Sequence, residues 1–216
     1  MSAPIVAVRG EAELHGPADL ATLTCTLHAS GESAETVRSK LATGSQAVAE
    51  LLGPFASALE RHSTSGLHVS PEFHRRAPGK ITGYRGTFST TIVVADFEAL
   101  SPLILGLSRL PDSQLDGPWW SLRPDNPMFR EVRLAAIADA RRRADDYAAA
   151  FGASVAELVE VSDLDGGFRG GHPMRMAAME MAADDAAFAF EPEEQTVSGQ
   201  VTVRFTIRGG SVRGLT

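Results

Sequence analysis

Alternating apolar and polar positions predict strands at the start of the chain. From Val6 to Leu14 the even positions are apolar or small, and charged residues alternate with them. After the turn formed by residues 15–17, the same period of two recurs at Leu23, Cys25, Leu27 and Ala29. Because this period places successive side chains on opposite faces of a strand, we expect a β-hairpin with one solvated face.

The sequence predicts further strands along the chain. They are expected at residues 67–73, 84–94, 115–122, 155–161 and 197–207. In the last of these, apolar or small residues occupy the odd positions, and Thr, Ser, Gln or Arg occupy the even positions. This pattern indicates one buried and one solvated face.

Apolar residues at three- and four-residue spacing predict three helices between these strands. Ser33 caps the first helix, Asp96 the second and Asn126 the third. Pro127 lies in the first turn of the third helix, and Gly152 closes it. The residues expected to face the core are Val37, Leu41, Val48, Leu51 and Leu52 in the first helix, Leu100, Leu103, Ile104 and Leu107 in the second, and Ile137, Ala140, Ala144, Tyr147, Ala148 and Phe151 in the third.

Strands with one solvated face, and helices that do not strictly alternate with them, favour an α+β fold. We expect largely antiparallel sheet with the helices packed on one face, in a single domain that spans residues 1–216. Residues 163–194 have no clear period and are rich in Gly, Met and acidic residues. We interpret them as an insertion or long loop.

Composition disfavours several classes of function. The formal net charge of −7 disfavours nucleic-acid binding, which draws most of its free energy from clustered Lys and Arg. Cys25 is the only cysteine, so neither an intrachain disulfide nor a thiolate zinc cluster can form. The first ten residues do not resemble a signal peptide, and no apolar stretch approaches the ~20 residues that cross a bilayer. We therefore expect a cytoplasmic protein without a membrane span.

Short motifs in a fixed order carry a family resemblance. They are VRGEA at residues 8–12, SPEF at 70–73, GYR at 83–85, AAFG at 149–152 and EPEEQ at 191–195. Each motif is weak alone, but their order and spacing resemble the SIMPL-domain family. That family is a bacterial group of unknown biochemical function that includes periplasmic immunogenic proteins. The resemblance covers nearly the whole chain.

The resemblance implies an α+β fold in two lobes, which we place at residues 1–95 plus 195–208 and at residues 96–162. It also implies a tendency to self-assemble, so we expect a homo-oligomer. It supplies no catalytic residues and no cofactor to carry over. Two features depart from the family pattern: the chain shows no signal peptide, and its Met-rich insertion is not part of the pattern.

Several residues that could bind metals or phosphates have simpler interpretations. His62, His68 and His74 are six residues apart, and six residues of extended strand span ~20 Å, which is too far for one ion to bridge. The Gly-rich segment 166–171 has no following Lys-Ser/Thr and no clear helix, so we interpret it as a connector rather than a nucleotide or RNA clamp. Cys25 lies on the apolar side of its strand, which indicates a buried structural thiol.

Three consecutive arginines, residues 141–143, form a basic run within the third helix. Acidic residues at four-residue spacing accompany them, and such pairs stabilise a helix by only a few tenths of a kcal/mol. We therefore expect a solvated helix face rather than a basic binding patch. The predicted pairs are Asp139 with Arg143, Arg141 with Asp145 and Arg142 with Asp146.

An interface is predicted at the two tryptophans. Trp119 and Trp120 are neighbours in a predicted strand, so their side chains point to opposite faces and cannot both enter one core. One ring is therefore expected to meet another layer, either a partner or the Met-rich insertion.

Four methionines of the insertion form a second candidate surface. Their thioether groups could bind Cu(I), but we expect an adaptable packing or partner surface at Met174, Met176, Met179 and Met181.

These observations favour a non-catalytic protein that self-associates through sheet edges or through the tryptophan face, in a stress- or envelope-related setting. One alternative is a binding module for a small apolar ligand or a protein partner, with a groove beneath the insertion. Another is an enzyme whose site is assembled from distant residues such as Asp19, His68 and Glu72. The sequence contains no nucleophile elbow and no HExxH helix that would support hydrolysis.

Overall fold

The computed structural model describes residues 3–74, 79–163 and 190–210. None of the helices in these ranges is long and apolar enough to cross a membrane. The elements, in chain order, are β1 (Ile5–Gly16), β2 (Leu20–Gly31), α1 (Ala34–Leu52), β3 (Leu59–Phe73), β4 (Ile81–Val94), α2 (Leu100–Ser108), β5 (Ser113–Ser121), α3 (Met128–Ala150), β6 (Ala153–Ser162) and β7 (Gln195–Gly209).

The strands form two antiparallel sheets, one in the order β1-β7-β6 and one in the order β3-β4-β2-β5. The chain divides into two compact units. We call the unit of β1, α3, β6 and β7 the three-stranded unit, and the unit of β2, α1, β3, β4, α2 and β5 the four-stranded unit. The predicted α+β class, with antiparallel sheet and packed helices, is confirmed.

The predicted hairpin between the first two strands is wrong. β1 pairs with β7 along its whole length, from Ile5 opposite Thr206 to Gly16 opposite Gln195. β2 instead lies between β4 and β5. Alternation shows which side of a strand is buried but not which strand is its partner, and the chain passes from one unit to the other at residues 17–18.

The two units also differ from the predicted lobes, because alternation does not show which strands pair. The lobe at residues 1–95 plus 195–208 joined the first strand to β2, β3 and β4, but β1 and β7 lie with α3 and β6. The lobe at residues 96–162 included α2 and β5, which belong to the four-stranded unit. Most of the predicted insertion, residues 164–189, lies outside the described residues.

The four-stranded unit buries the strand face that alternation predicted. Leu23 and Cys25 are fully buried between the sheet and its helices, and burial raises the pKa of the Cys25 thiol. α1 packs on β2 and β4, and α2 packs on β5 and α1. Leu51 is only partly buried, but the other predicted helix positions reach the core: Val37, Leu41, Val48, Leu52, Leu100, Leu103, Ile104 and Leu107.

In the three-stranded unit, α3 lies very close to the sheet because small residues face each other. A Cβ atom on Gly10 of β1 would lie 2.0 Å from the carbonyl oxygen of Ala136 and 2.7 Å from the Cβ of Ala140. The helix face predicted from the sequence is therefore partly wrong, since small residues, not long ones, fill the contact. The buried positions are Val132, Ala136, Ala140, Ala144 and Ala148, and the exposed ones include Ile137, Tyr147 and Phe151.

Candidate interaction surfaces

The two tryptophans of β5 point to opposite faces of the four-stranded sheet. Trp120 lies opposite the fully buried Ala21, and its ring packs edge-on against Phe97 with the ring centroids 4.9 Å apart. Trp119 lies opposite Thr22 on the other face. Both rings are half-buried. Trp120 therefore belongs to the core, and the predicted interface role rests on Trp119.

The structure does not place the predicted histidines on one face of β3. His62 lies opposite Ile92, a core residue, whereas His68 lies opposite Thr87 on the solvated face. The register between β3 and β4 shifts at residues 64–66, so the six-residue spacing does not keep the two imidazoles on one side.

Two predicted features lie outside the described residues. They are the Gly-rich segment 166–171 and the methionines Met174, Met176, Met179 and Met181. In the part of the chain that is described, no three His, Cys, Asp or Glu side chains come close enough to hold a metal ion.

The residues considered for a catalytic cluster are not brought together. His68 lies across the sheet from His28 of β2, and His28 is nine positions along the chain from Asp19. At ~3.3 Å per residue this separation is roughly 30 Å. Glu72 forms an ion pair with Arg85 at 2.5 Å. Asp19 therefore cannot share a reaction centre with His68 in this fold.

Asp139 has a role that the charge pattern alone did not predict. Its carboxylate accepts a hydrogen bond from the backbone N–H of Glu11 at 3.1 Å. It also pairs with Arg142, and with Nε of Arg143 at 2.9 Å, although its side chain is only 11% exposed. The Glu11 N–H, followed by the Arg142 hydrogen bond, holds the pKa of Asp139 below its ordinary value. The pair with Arg143 is as predicted, but Arg142 pairs with Asp139 instead of Asp146.

Exposed apolar side chains are concentrated in the three-stranded unit. Of the twelve large apolar side chains that are exposed among the described residues, eight belong to this unit. A contiguous apolar surface on a soluble protein commonly marks a binding site. The eight are Ile5, Leu134, Ile137, Tyr147, Phe151, Leu158, Val159 and Val161.

Two of these side chains lie on the flank of α3 that is turned away from β1. Residues two positions apart on a helix point about 200° apart, so Ile137 lies opposite Asp139, which reaches β1. Leu134 lies on the same flank, about one turn before Ile137. Because the sheet order is β1-β7-β6, this flank of α3 is on the side of β6.

β6 presents apolar side chains on the same side of the sheet as α3. Leu158 and Val161 lie opposite Phe205 and Val203, two residues of β7 that belong to the core beneath α3. Leu158 is nevertheless 60% exposed and Val161 51% exposed. We give these two residues and the two α3 residues one name, the α3–β6 strip (Leu134, Ile137, Leu158 and Val161); all four lie on the same side of the unit, and the register places Leu158 and Val161 level with the C-terminal half of α3.

The opposite face of this sheet is polar. Glu160 pairs with Arg204 at 3.2 Å, and Glu157 pairs with Arg208 at 3.5 Å. All four side chains are about half-exposed or more. The charges of β6 are thus paired on the outer face, away from the α3–β6 strip.

A shallow apolar groove occupies one end of the three-stranded unit. Its volume is about 280 Å³. The first residues of β1, the last turn of α3 and the end of β7 line it, through Ile5, Val6, Ala7, Tyr147, Ala148, Phe151 and Ile207. The sequence did not predict this groove, since Tyr147 and Phe151 were expected to be buried.

Comparison with known proteins identifies a family. The family described as "SIMPL: Protein of unknown function (DUF541)" matches residues 6–205. The chain is also similar to the uncharacterized protein YggE of Edwardsiella ictaluri. The two are 23% identical over 203 residues, which cover 90% of this chain and 82% of that protein.

Likeness to solved structures is weak. The chain is 14% identical to a hydantoinase/carbamoylase family amidase from Burkholderia ambifaria, with a TM-score of 0.34, over 56% of this chain and 34% of that one. It is 14% identical to a putative amidohydrolase/peptidase from Burkholderia cenocepacia, with a TM-score of 0.31, over 63% and 35%. The chain thus spans about a third of the length of each enzyme.

Proposed function

The chain belongs to the SIMPL family of proteins of unknown function, as its motifs predicted, and we propose that it is a non-catalytic protein that self-associates through the α3–β6 strip. The observation that carries this proposal is the exposure of Leu158 and Val161, which are 60% and 51% exposed on the core side of the sheet. α3 covers the core-facing side chains of β7 but leaves these neighbours in β6 open.

An uncovered apolar strip favours association because burial of its side chains releases water. Complete burial of a Leu, Val or Ile side chain contributes roughly 1.5–3 kcal/mol. Protein interfaces typically have such an apolar centre surrounded by polar residues. Arg141 follows Ile137 by about one turn on the same flank of α3, level with Val161, and supplies a charged group beside the strip.

A second copy of the chain fits this strip better than a charged partner. A two-fold interface brings the same patch of both subunits together, so like charges within the patch would repel each other. The strip contains no charged side chain. The nearby glutamates of β6, Glu157 and Glu160, are each paired with an arginine of their own subunit. The four side chains of the strip can therefore meet their own copies without repulsion between like charges among them.

The proposal is tested by the molar mass of the full chain in solution. We expect light scattering at micromolar concentration to give a multiple of the 22.9 kDa chain mass. Leu158→Glu combined with Val161→Glu should shift the mass toward 22.9 kDa, because each carboxylate would have to be desolvated in the interface.

A matched control is provided by Leu67 of β3, which is 61% exposed but lies in the four-stranded unit. Leu67→Glu introduces the same charge at an equally exposed leucine and should leave the mass unchanged. A strictly monomeric native chain would contradict the proposal. So would a double variant that associates as the native chain does.

The apolar groove supports a second candidate function, binding of a small apolar molecule. Its lining is almost entirely aliphatic and aromatic, and its volume of about 280 Å³ suits a ligand of a few carbon atoms or one apolar side chain. Native mass spectrometry of freshly purified protein should then show a retained ligand that is lost in Tyr147→Asp. A clean mass of the chain alone would count against this function.

A further inference from the structure

The edge strands of the two described sheets, β1, β6, β3 and β5, differ in regularity. β3, β5 and β6 each contain at least one register shift, and β3 and β5 also contain a proline, Pro71 and Pro118. Such irregularities protect an edge strand from pairing with another chain. β1 has no register shift and no proline between Ile5 and Gly16. Among the described strands, the edge of β1 is therefore the one best suited to accept an added strand.

The odd-numbered residues of β1 turn their backbone groups toward this edge. The N–H of Ile207 donates to the carbonyl of Pro4 at 2.9 Å, so the even-numbered residues hydrogen-bond with β7. The N–H of Glu11 points the other way and donates to the carboxylate of Asp139 in α3 at 3.1 Å. This carboxylate thus occupies the place that the carbonyl oxygen of an added strand would take. It separates residues 5–9 from the rest of the edge.

The apolar groove lies beside residues 5–9. It is lined by three consecutive residues of β1, whose side chains point to alternate faces, so the groove reaches the edge of the strand itself. α3 overhangs the same edge. Tyr147, which lines the groove, precedes the buried Ala148, and Asp139 likewise precedes the buried Ala140. Both therefore lie on one flank of the helix, and an added strand would pass between this flank and β1 with one side chain in the groove.

These features select a peptide as the occupant. Hydrogen bonds along the exposed edge at Ile5, Ala7 and Arg9 require a partner with a backbone of its own. The partner residue opposite Val6 would lie on the α3 side of the sheet, where its side chain can enter the groove of about 280 Å³. The residue opposite Arg9, three positions away, would lie on the outer face. The Arg9 side chain is 48% exposed and 3.9 Å from Glu11, so it favours an acidic side chain there.

We propose that residues 5–9 of β1 bind an extended peptide in antiparallel orientation. Its apolar side chain would fill the groove, and an acidic side chain three positions earlier would lie opposite Arg9. The antiparallel direction matches the pairing of β1 with β7 and is the more stable per residue. This inference rests on the second candidate function, because it names the occupant of the same groove, and it is independent of the α3–β6 strip.

Labelled peptides added to the full chain test the proposal. The probe is Thr-Asp-Thr-Thr-Leu-Thr-Thr with blocked ends, and fluorescence polarisation should detect its binding. Replacement of its leucine by threonine should weaken binding about 10-fold, because the groove is then left without an apolar side chain. Replacement of its aspartate by lysine should weaken binding about threefold, as expected for an exposed ion pair. Arg9→Glu should reverse this preference, so that the lysine peptide binds the variant more tightly than the aspartate peptide does.

A matched pair of proline variants tests the role of the edge backbone. Ala7→Pro removes an outward N–H within residues 5–9, and the β1–β7 ladder should remain because proline is tolerated where an edge N–H faces away from the sheet. We expect it to weaken binding of the probe about 10-fold. Glu13→Pro makes the same change at an outward N–H beyond Asp139 and should bind as the native chain does.

Equal binding of the leucine and threonine peptides would overturn the proposal, and so would unchanged binding by Ala7→Pro. A small apolar ligand retained in native mass spectrometry, together with no binding of the peptide, would also overturn it. That last result would leave the second candidate function in place, so the two failures are distinguishable.

Discussion

The two sides of α3 differ in how completely they are packed against the sheet; we call the β1 side the closed side and the β6 side the open side. On the β1 side, Gly10 allows the helix backbone to touch the strand, and the Asp139 carboxylate accepts a hydrogen bond from that strand. On the β6 side, Leu158 and Val161 continue the same sheet face but remain exposed. The comparison assigns different roles to the two sides of one helix: the closed side holds the unit together, and the open side is where we propose that a second copy binds.

The closed side should be the more sensitive to substitution. In Gly10→Ala, the added Cβ would lie 2.0 Å from the Ala136 carbonyl oxygen and 2.5 Å from the Ala140 nitrogen, so the helix must move away from the sheet. We expect a loss of about 3 kcal/mol in the free energy of unfolding, near the upper end for overpacking. Urea denaturation measures it. Gly53→Ala is the control, since a Cβ there meets nothing within 4 Å.

Removal of the Asp139 charge should have a smaller effect on the same side. Asp139→Asn keeps an oxygen that can accept from Glu11 but loses the attraction to Arg142 and Arg143. We expect a lower denaturation midpoint than in the native chain, but a smaller decrease than in Gly10→Ala. Asp145→Asn, at an exposed position of the same helix, should not change the midpoint.

The difference in stability between the native chain and Asp139→Asn should depend on pH with a definite sign. The folded state lowers the pKa of Asp139 below its ordinary value of 3.8, mainly through the Glu11 N–H. The stabilisation is therefore fully present above pH 3.8 and is lost as the pH falls through the lower, folded pKa. The gap between native chain and Asp139→Asn should be constant from pH 7 to pH 5 and should shrink in more acidic solution. A gap that widened on acidification would contradict this assignment.

The ion pairs of β6 should contribute least. Glu160 and Arg204 are 3.2 Å apart, with side chains 52% and 48% exposed. Solvent screens such pairs, so Glu160→Gln should change the free energy of unfolding by less than about 0.5 kcal/mol. Its molar mass in solution should equal that of the native chain, because the pair lies on the face opposite the α3–β6 strip. A change in mass would place the interface on the polar face instead.

Much of the local structure follows from the sequence. The caps are an example: Ser33 accepts from the backbone N–H of Thr36 at 3.1 Å, and Asn126 accepts from that of Met128 at 2.8 Å. The buried face of an alternating strand could also be predicted, because a period of two shows which side chains face the core. Strand partners could not, since β1 and β2 carry the same alternation yet belong to different sheets.

The candidate interface was less predictable. Ile137 has the spacing of a core residue, and the sequence does not show that the helix approaches the sheet through its alanines. The adjacent Leu158 and Val159 break the alternation of their strand, which was a signal for the register shifts that flank Leu158. Asp139 also carried a signal, because an acidic residue between the buried Ala136 and Ala140 needs a specific partner.

Hydrogen exchange measured at two protein concentrations tests the central claim most directly. If the chain associates through the α3–β6 strip, backbone amides around Leu158 and Val161 should exchange more slowly at high concentration than after dilution. Amides of β1, on the closed side of α3, should exchange at the same rate in both samples. Concentration-dependent protection in β1 with none in β6 would contradict the account.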